Sequence, residues 1–192
     1  MSLKVDSPLV QHVQKNKYKN KMEYKSVIFL DFDGVLNCQL FYDSSEFDKS
    51  RGDDLNEYYH RWNCSPMRIQ WLNNLCEETG AVVVVSATLR SSYNVEGLQE
   101  LFNRCGGTFK VIDKTGHCNC RIRGVEIHNW LHENSDKYFG KPYYDFRNYA
   151  IIDDDSDMLL EQWENFFHVD NYSGLTPNTC YKIKRFLTGK TF

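Results

Sequence analysis

The alternation of apolar runs and amphipathic segments predicts an α/β fold: a Rossmann-like, doubly wound parallel sheet carrying a small flap and no large cap domain. Three observations point there. Val27-Ile28-Phe29-Leu30, Ala81 to Val85 and Tyr149 to Ile152 are short apolar runs, and each ends in hydroxyl or carboxylate residues. Apolar runs of that length without polar alternation read as strands covered on both faces, as in a parallel sheet. Segments of helical period separate them, as the crossovers between parallel strands require. With 192 residues, 41% of them hydrophobic and 26% charged, the chain can bury a substantial core as one domain.

Residues 1–24 are polar and lysine-rich, without a clear period, and read as an N-terminal extension of a domain spanning 25–192. The first strand ends at Asp31. Asn37 to Cys64 is polar, studded with aromatics and too long for an ordinary loop, so it reads as a flap or lid. Ser65-Pro66 supplies an N-cap and a first-turn proline to a helix whose Ile69, Leu72, Leu75 and Cys76 share one face, and Gly80 closes it. The second strand, Ala81 to Val85, ends at Ser86. A helix over Val95 to Arg104 stops at Gly106-Gly107, and a weaker strand follows near Phe109 to Ile112. Gly124 to Glu133 has helical spacing of Val125, Ile127, Trp130 and Leu131. The third strong strand, Tyr149 to Ile152, runs into Asp153-Asp154-Asp155-Ser156-Asp157. Phe166 to Val169 is a further strand, and Thr176-Pro177 caps a last helix towards Leu187.

The composition narrows the setting. No apolar run approaches the ~20 residues of a membrane span, and the start lacks a signal-peptide core. Seven cysteines, an odd number without a CxxC pair, argue against a disulfide framework and for a reducing, cytoplasmic setting. His117-Cys118-Asn119-Cys120 has no second ligand cluster at zinc spacing. A net charge of −3 does not announce nucleic-acid binding, although Lys15 to Lys25 and Lys182 to Lys190 are locally basic and offer a possible RNA contact through both ends.

The chemistry is concentrated where the strands stop. Asp31 and Asp33 alternate along an extended chain and can face one crevice, while Gly34 permits a sharp turn after them. Two crowded carboxylates repel, and a hard cation such as Mg²⁺ relieves that repulsion. The pair suits phosphoryl transfer, with one carboxylate attacking phosphorus and the other protonating the departing oxygen. Parallel neighbours would bring Asp31/Asp33, Ser86 and Asp153/Asp154 to one sheet edge, where ligands of such sheets bind. Asp153, Asp155, Asp157 and Glu164 have calcium-loop spacing, but Met158 occupies the required glycine position. Ser86 lacks the Gly-x-Ser-x-Gly turn of a serine nucleophile. Tyr58-Tyr59-His60-Arg61-Trp62 could stack on a nucleobase or pack the flap onto the body.

Four stretches together resemble the haloacid dehalogenase (HAD) superfamily of phosphatases: Asp-Phe-Asp-Gly-Val-Leu-Asn at 31–37, Ser-Ala-Thr-Leu-Arg at 86–90, Arg-Gly-Val-Glu-Ile-His-Asn-Trp-Leu at 123–131 and Ile-Ile-Asp-Asp-Asp-Ser-Asp-Met at 151–158. The resemblance covers most of residues 26–187 and is narrowest to the HAD domains of Swiss Army knife RNA-repair proteins. It implies an Mg²⁺-dependent phosphomonoester hydrolase with Asp31 as nucleophile and Asp33 as acid/base. By the same resemblance Ser86 would bond a phosphoryl oxygen, and Asp31, Asp33, Asp153 and Asp154 would surround the metal, with Asp154 the best fit. Arg123 is the candidate cation joining nucleophile and phosphate, with Arg121 and Lys114 as rivals. Gly34, Ala87 and Arg90 fall on the substrate side, Arg90 either binding substrate or bracing the second motif. Asp157 is a ligand or a helix cap. Ala87 and Leu89 stand where relatives often carry a hydroxyl and a tryptophan, so substrate contacts can differ. The implied substrate is a phosphorylated small molecule, a nucleotide or a nucleic-acid end. A non-catalytic phosphate- or RNA-binding module is the alternative.

Overall fold

The computed structural model of the protein describes residues 24–45, 47 and 64–189. The lysine-rich start and Tyr58 to Trp62 lie outside the described residues. Five parallel strands form one sheet: β1 (Ser26–Leu30), β2 (Ala81–Val85), β3 (Val111–Lys114), β4 (Tyr149–Asp153) and β5 (Phe166–His168), in the order β3-β2-β1-β4-β5. A single helical turn, α1 (Gln39–Tyr42), follows β1, and the crossovers are α2 (Pro66–Thr79), α3 (Val95–Arg104) and α4 (Arg123–Phe139), with α5 (Pro177–Thr188) last.

Every residue of β1, β2 and β4 is buried. Alternate side chains feed two separate cores, because successive residues of a strand point to opposite faces. Ile28, Leu30, Val83, Val85, Ala150 and Ile152 face α2, α3 and α5, where Leu72, Leu98, Phe102 and Ile183 are fully covered. Val27, Phe29, Val82, Val84 and Ile151 face the other way onto Ile127, Trp130 and Leu131 of α4. The sheet is therefore wound on both faces, and the missing polar alternation in its strands has this cause.

The helix ends obey their local chemistry. Ser65 and Thr176 accept from backbone amides at the starts of α2 and α5, each with proline at the first position. Gly80 closes α2 in the left-handed region, at φ 66°. Two boundaries differ from the expectation by two residues or more. β3 lies at Val111–Lys114 because Phe109 turns into the core against Phe102, 5.1 Å between ring centres. α4 extends to Phe139 instead of stopping near Glu133, since buried Ser135 and Phe139 continue its inner face beyond a polar stretch.

Candidate active site

Sheet order reverses between β1 and β4, so the loops leaving these two neighbours diverge and open a crevice at their carboxyl ends. The register carries on past β1, the Asp31 amide donating to Ile152 O at 3.0 Å. Neighbouring parallel strands end at one level, which brings their carboxylates together. Asp31, Asp153 and Asp154 each place one carboxylate oxygen within 4.8 Å of the others. Asp31, Asp33, Gly34, Thr88, Arg123 and Asp154 line a crevice of about 500 Å³. Asp153 itself is fully buried.

Arg123 reaches this cluster from the first turn of α4. Its Nη1 donates to Asp31 Oδ1 at 2.9 Å and to the Ser86 carbonyl, and stands 3.6 Å from Asp153 Oδ2. The helix start that carries it is held by the loop after β4. The Arg123 amide donates to Asp157 Oδ2 at 2.7 Å, so Asp157 caps α4, not a helix of its own. A Cβ on Gly124 would lie 2.5 Å from Leu159 N and 2.6 Å from Gln162 Oε1, so only glycine permits this approach. Gln162, buried, donates to Gly124 O at 2.8 Å and accepts from Leu159 N at 2.9 Å. Of the rival cations, Lys114 spends its ammonium on the carbonyls of Arg90, at 2.7 Å, and Tyr93. Arg121 takes an unusual positive φ of 56° in the preceding loop and does not line the crevice.

Arg90 is also spent. Its guanidinium forms a buried ion pair with Glu126 and donates to the carbonyls of Ser86 and Ala87, the latter at 2.8 Å. Of the two roles open to it, these contacts serve bracing. Ala87 is buried, and Ser86 Oγ is buried without a hydrogen-bond partner among the described residues. Thr88, two residues on, is the second-motif residue that lines the crevice.

Asp33 stands apart from the three clustered carboxylates. It is exposed, and Asn37 Nδ2 donates to its Oδ1 at 2.7 Å. Sequence reasoning quoted Asn37 and Thr88 without giving either a task, and it missed Tyr42 and Tyr172 altogether. A side-chain amide four residues after Asp33 was the available signal for Asn37.

The acidic cluster is electrostatically unfinished. Burial pushes Asp31 up to about 6, although the Arg123 charge and hydrogen bond pull it down and Asp154 and Asp33 push it further up. Burial, then the Asp31 charge, pushes Asp153 up to about 8. Burial raises Asp154 as well. Asp153 Oδ2 is buried without a hydrogen bond among the described residues, whereas its Oδ1 accepts from the Asp155 amide at 3.0 Å. Gly34, at φ 73°, lets Asp154 lie against the turn, since a Cβ there would stand 2.2 Å from Asp154 Oδ2. An all-oxygen, anionic set with one orphaned lone-pair donor fits a hard divalent cation.

Both acids bind protons more tightly in the folded chain than at their ordinary 3.8, so the contribution of these two groups to stability in chelator is fully present below that value and is lost as pH rises through about 6 and about 8. A cation needs both groups deprotonated and removes that loss. Thermal melts in EDTA and in Mg²⁺ should therefore separate more at about pH 8.5 than at about pH 5. A Tm difference independent of pH would refute the assignment of these acids to the cation.

An all-parallel sheet of this order, with an acidic cluster where β1 and β4 part, is the HAD-like form of the Rossmann fold. The chain belongs to the family described as the HAD domain in Swiss Army Knife RNA repair proteins, which matches residues 27–180. Comparisons with curated proteins and with solved structures give no match. No helix among the described residues is long and apolar enough to cross a membrane. None of the seven cysteines forms a disulfide. Of the basic C-terminal residues, Lys184 is paired with Glu78 at 2.8 Å and Arg185 donates to the Tyr181 hydroxyl at 3.0 Å.

Proposed function

We propose that the protein is an Mg²⁺-dependent phosphomonoester hydrolase working through an aspartyl-phosphate, with a nucleotide or a polynucleotide phosphate end as substrate. The observation that carries the reading is Arg123 bonded to Asp31 at the lip of a three-carboxylate cluster. Family membership supports the reaction class, and the RNA-repair association of that family supports the substrate. Seven cysteines without a disulfide are in keeping with a cytoplasmic site of action.

Asp31 has one oxygen held by Arg123 and the other available for in-line attack. As the new O–P bond forms, the ester P–O bond breaks, and Asp33 gives its proton to the departing alkoxide. Asp33, now a carboxylate, takes a proton from water, whose oxygen attacks phosphorus. The Asp31–phosphorus bond breaks, inorganic phosphate leaves, and both side chains return to their starting states. Splitting one hard displacement into two is the gain of a covalent intermediate. Asn37 fixes the reach of Asp33 in both halves. Arg123 neutralises the phosphoryl oxygens, its charge reinforced by the helix start that bears it. Mg²⁺ bound by Asp31, Asp153 and Asp154 would add charge neutralisation at the transferring group and keep these acids ionised.

Asp33 argues against a module that only binds, because phosphate capture has no use for a general acid held at a fixed angle. Purified protein should release inorganic phosphate from phosphomonoesters in Mg²⁺ and lose that activity in EDTA. Salt-sensitive RNA binding indifferent to Mg²⁺, with no phosphate release from any ester, would transfer the case to the binding module.

A further inference from the structure

The crevice has a second wall that the hydrolytic chemistry does not use. Gln39 and Tyr42 of α1 and Asn171 and Tyr172 of the loop after β5 also line it. The two segments are stitched together by their backbones, Gln39 N donating to Asn171 O at 3.2 Å and Leu40 N to Tyr172 O at 2.9 Å. The loop is rigid by design of its side chains. Asp170 accepts from the Ser173 hydroxyl at 2.9 Å and from the Ser173 amide at 3.2 Å. Buried Arg68 donates to Ser173 O at 2.6 Å. Gly174, at φ 63°, passes so close to Val35 O that a Cβ would stand 2.5 Å from it. This scaffolding ends in an aromatic side chain that is 50% exposed.

An exposed ring on an immobilised backbone loses little freedom when a flat ligand stacks on it. Side-chain amides beside it match the donors and acceptors along a base edge. The volume, about 500 Å³, falls within the ~300–1,000 Å³ that small-molecule sites occupy. We infer that the Gln39/Tyr42/Asn171/Tyr172 wall selects a nucleoside monophosphate, free or as the last residue of a strand, by stacking its base on Tyr172 while the phosphate faces Asp31. This rests on the reading of the crevice as a phosphomonoesterase site.

The test compares adenosine monophosphate, a phosphate-ended oligonucleotide and glycerol phosphate as substrates for the wild-type protein, Tyr172→Ala and Tyr172→Trp, in Mg²⁺. Calorimetry of adenosine monophosphate against inorganic phosphate gives the same comparison as binding, independent of turnover. The wild type should prefer nucleotides, and Tyr172→Ala should shrink the nucleotide-to-glycerol-phosphate ratio of kcat/KM about tenfold or more, through KM, as lost base stacking does. Tyr172→Trp should restore the ratio. A ratio unchanged in Tyr172→Ala, or no preference for nucleotides in the wild type, overturns the inference and leaves the hydrolase reading standing. If no ester is cleaved but nucleotide binding still depends on Tyr172, the hydrolase reading fails and the wall keeps its role. The oligonucleotide arm separates a free nucleotide from a strand end as the source of the same chemistry.

Discussion

Asp31→Asn is expected to lower turnover of every phosphomonoester by at least about a thousandfold, because the amide cannot form the covalent intermediate. The fold should survive. Asp31 is a buried carboxylate held above its ordinary proton affinity chiefly by burial, so a neutral isostere relieves that desolvation. Arg123 keeps the Ser86 carbonyl and Asp153 as neighbours. The Tm in EDTA should stay level or rise, while the Mg²⁺-dependent increase shrinks with the loss of a ligand. The two readouts move in opposite directions, which separates a lost nucleophile from a lost fold. Residual activity within about tenfold of wild type would remove Asp31 from its assigned role.

Gly34→Ala should be nearly as damaging, for a different reason. The methyl would occupy the place of the Asp154 carboxylate, 2.2 Å from Oδ2, so Asp154 must leave the cluster. Backbone strain at φ 73° adds a cost of about 1–2 kcal/mol. Gly80→Ala is the matched control: its φ is 66°, yet nothing lies within 4 Å of the added Cβ. Both variants should lose a few degrees of Tm in EDTA, and only Gly34→Ala should lose the Mg²⁺ stabilisation and the hydrolysis. Equal activities in the two variants would show that Asp154 is not needed where it lies.

The sheet was legible because its central strands are uniform. Val27 to Leu30, Ala81 to Val85 and Tyr149 to Ile152 carry no polar interruption, and burial on both faces is the sole setting that suits such runs. Edge strand β3 was placed two residues early because its polar members are satisfied from afar: Asp113 accepts from Trp130 Nε1 at 3.0 Å, a contact spanning 17 residues. The acidic groups at the strand ends were legible through the alternation of Asp31 and Asp33 and the run after Ile152. The partners that hold the site were not. The Arg90–Glu126 pair and the Gly124–Gln162 contact bridge 36 and 38 residues, and no local pattern announces them. The Tyr172 wall was missed for the same reason, since the Arg68–Ser173 bond that supports it spans 105 residues. Local periodicity reports burial; it carries no information about which distant groups meet.

The buttress formed by Asp157, Gln162 and Gly124 has a thermodynamic corollary. It joins the loop bearing Asp154 to the helix bearing Arg123, so the proposed cation ligands and the proposed anion clamp share one mechanical support. Occupancy of either should then favour the other, and the mutual enhancement must be equal in both directions. Loosening that support at Gln162, whose side chain touches neither ion, should weaken the cross-talk itself while each ion still finds its own ligands.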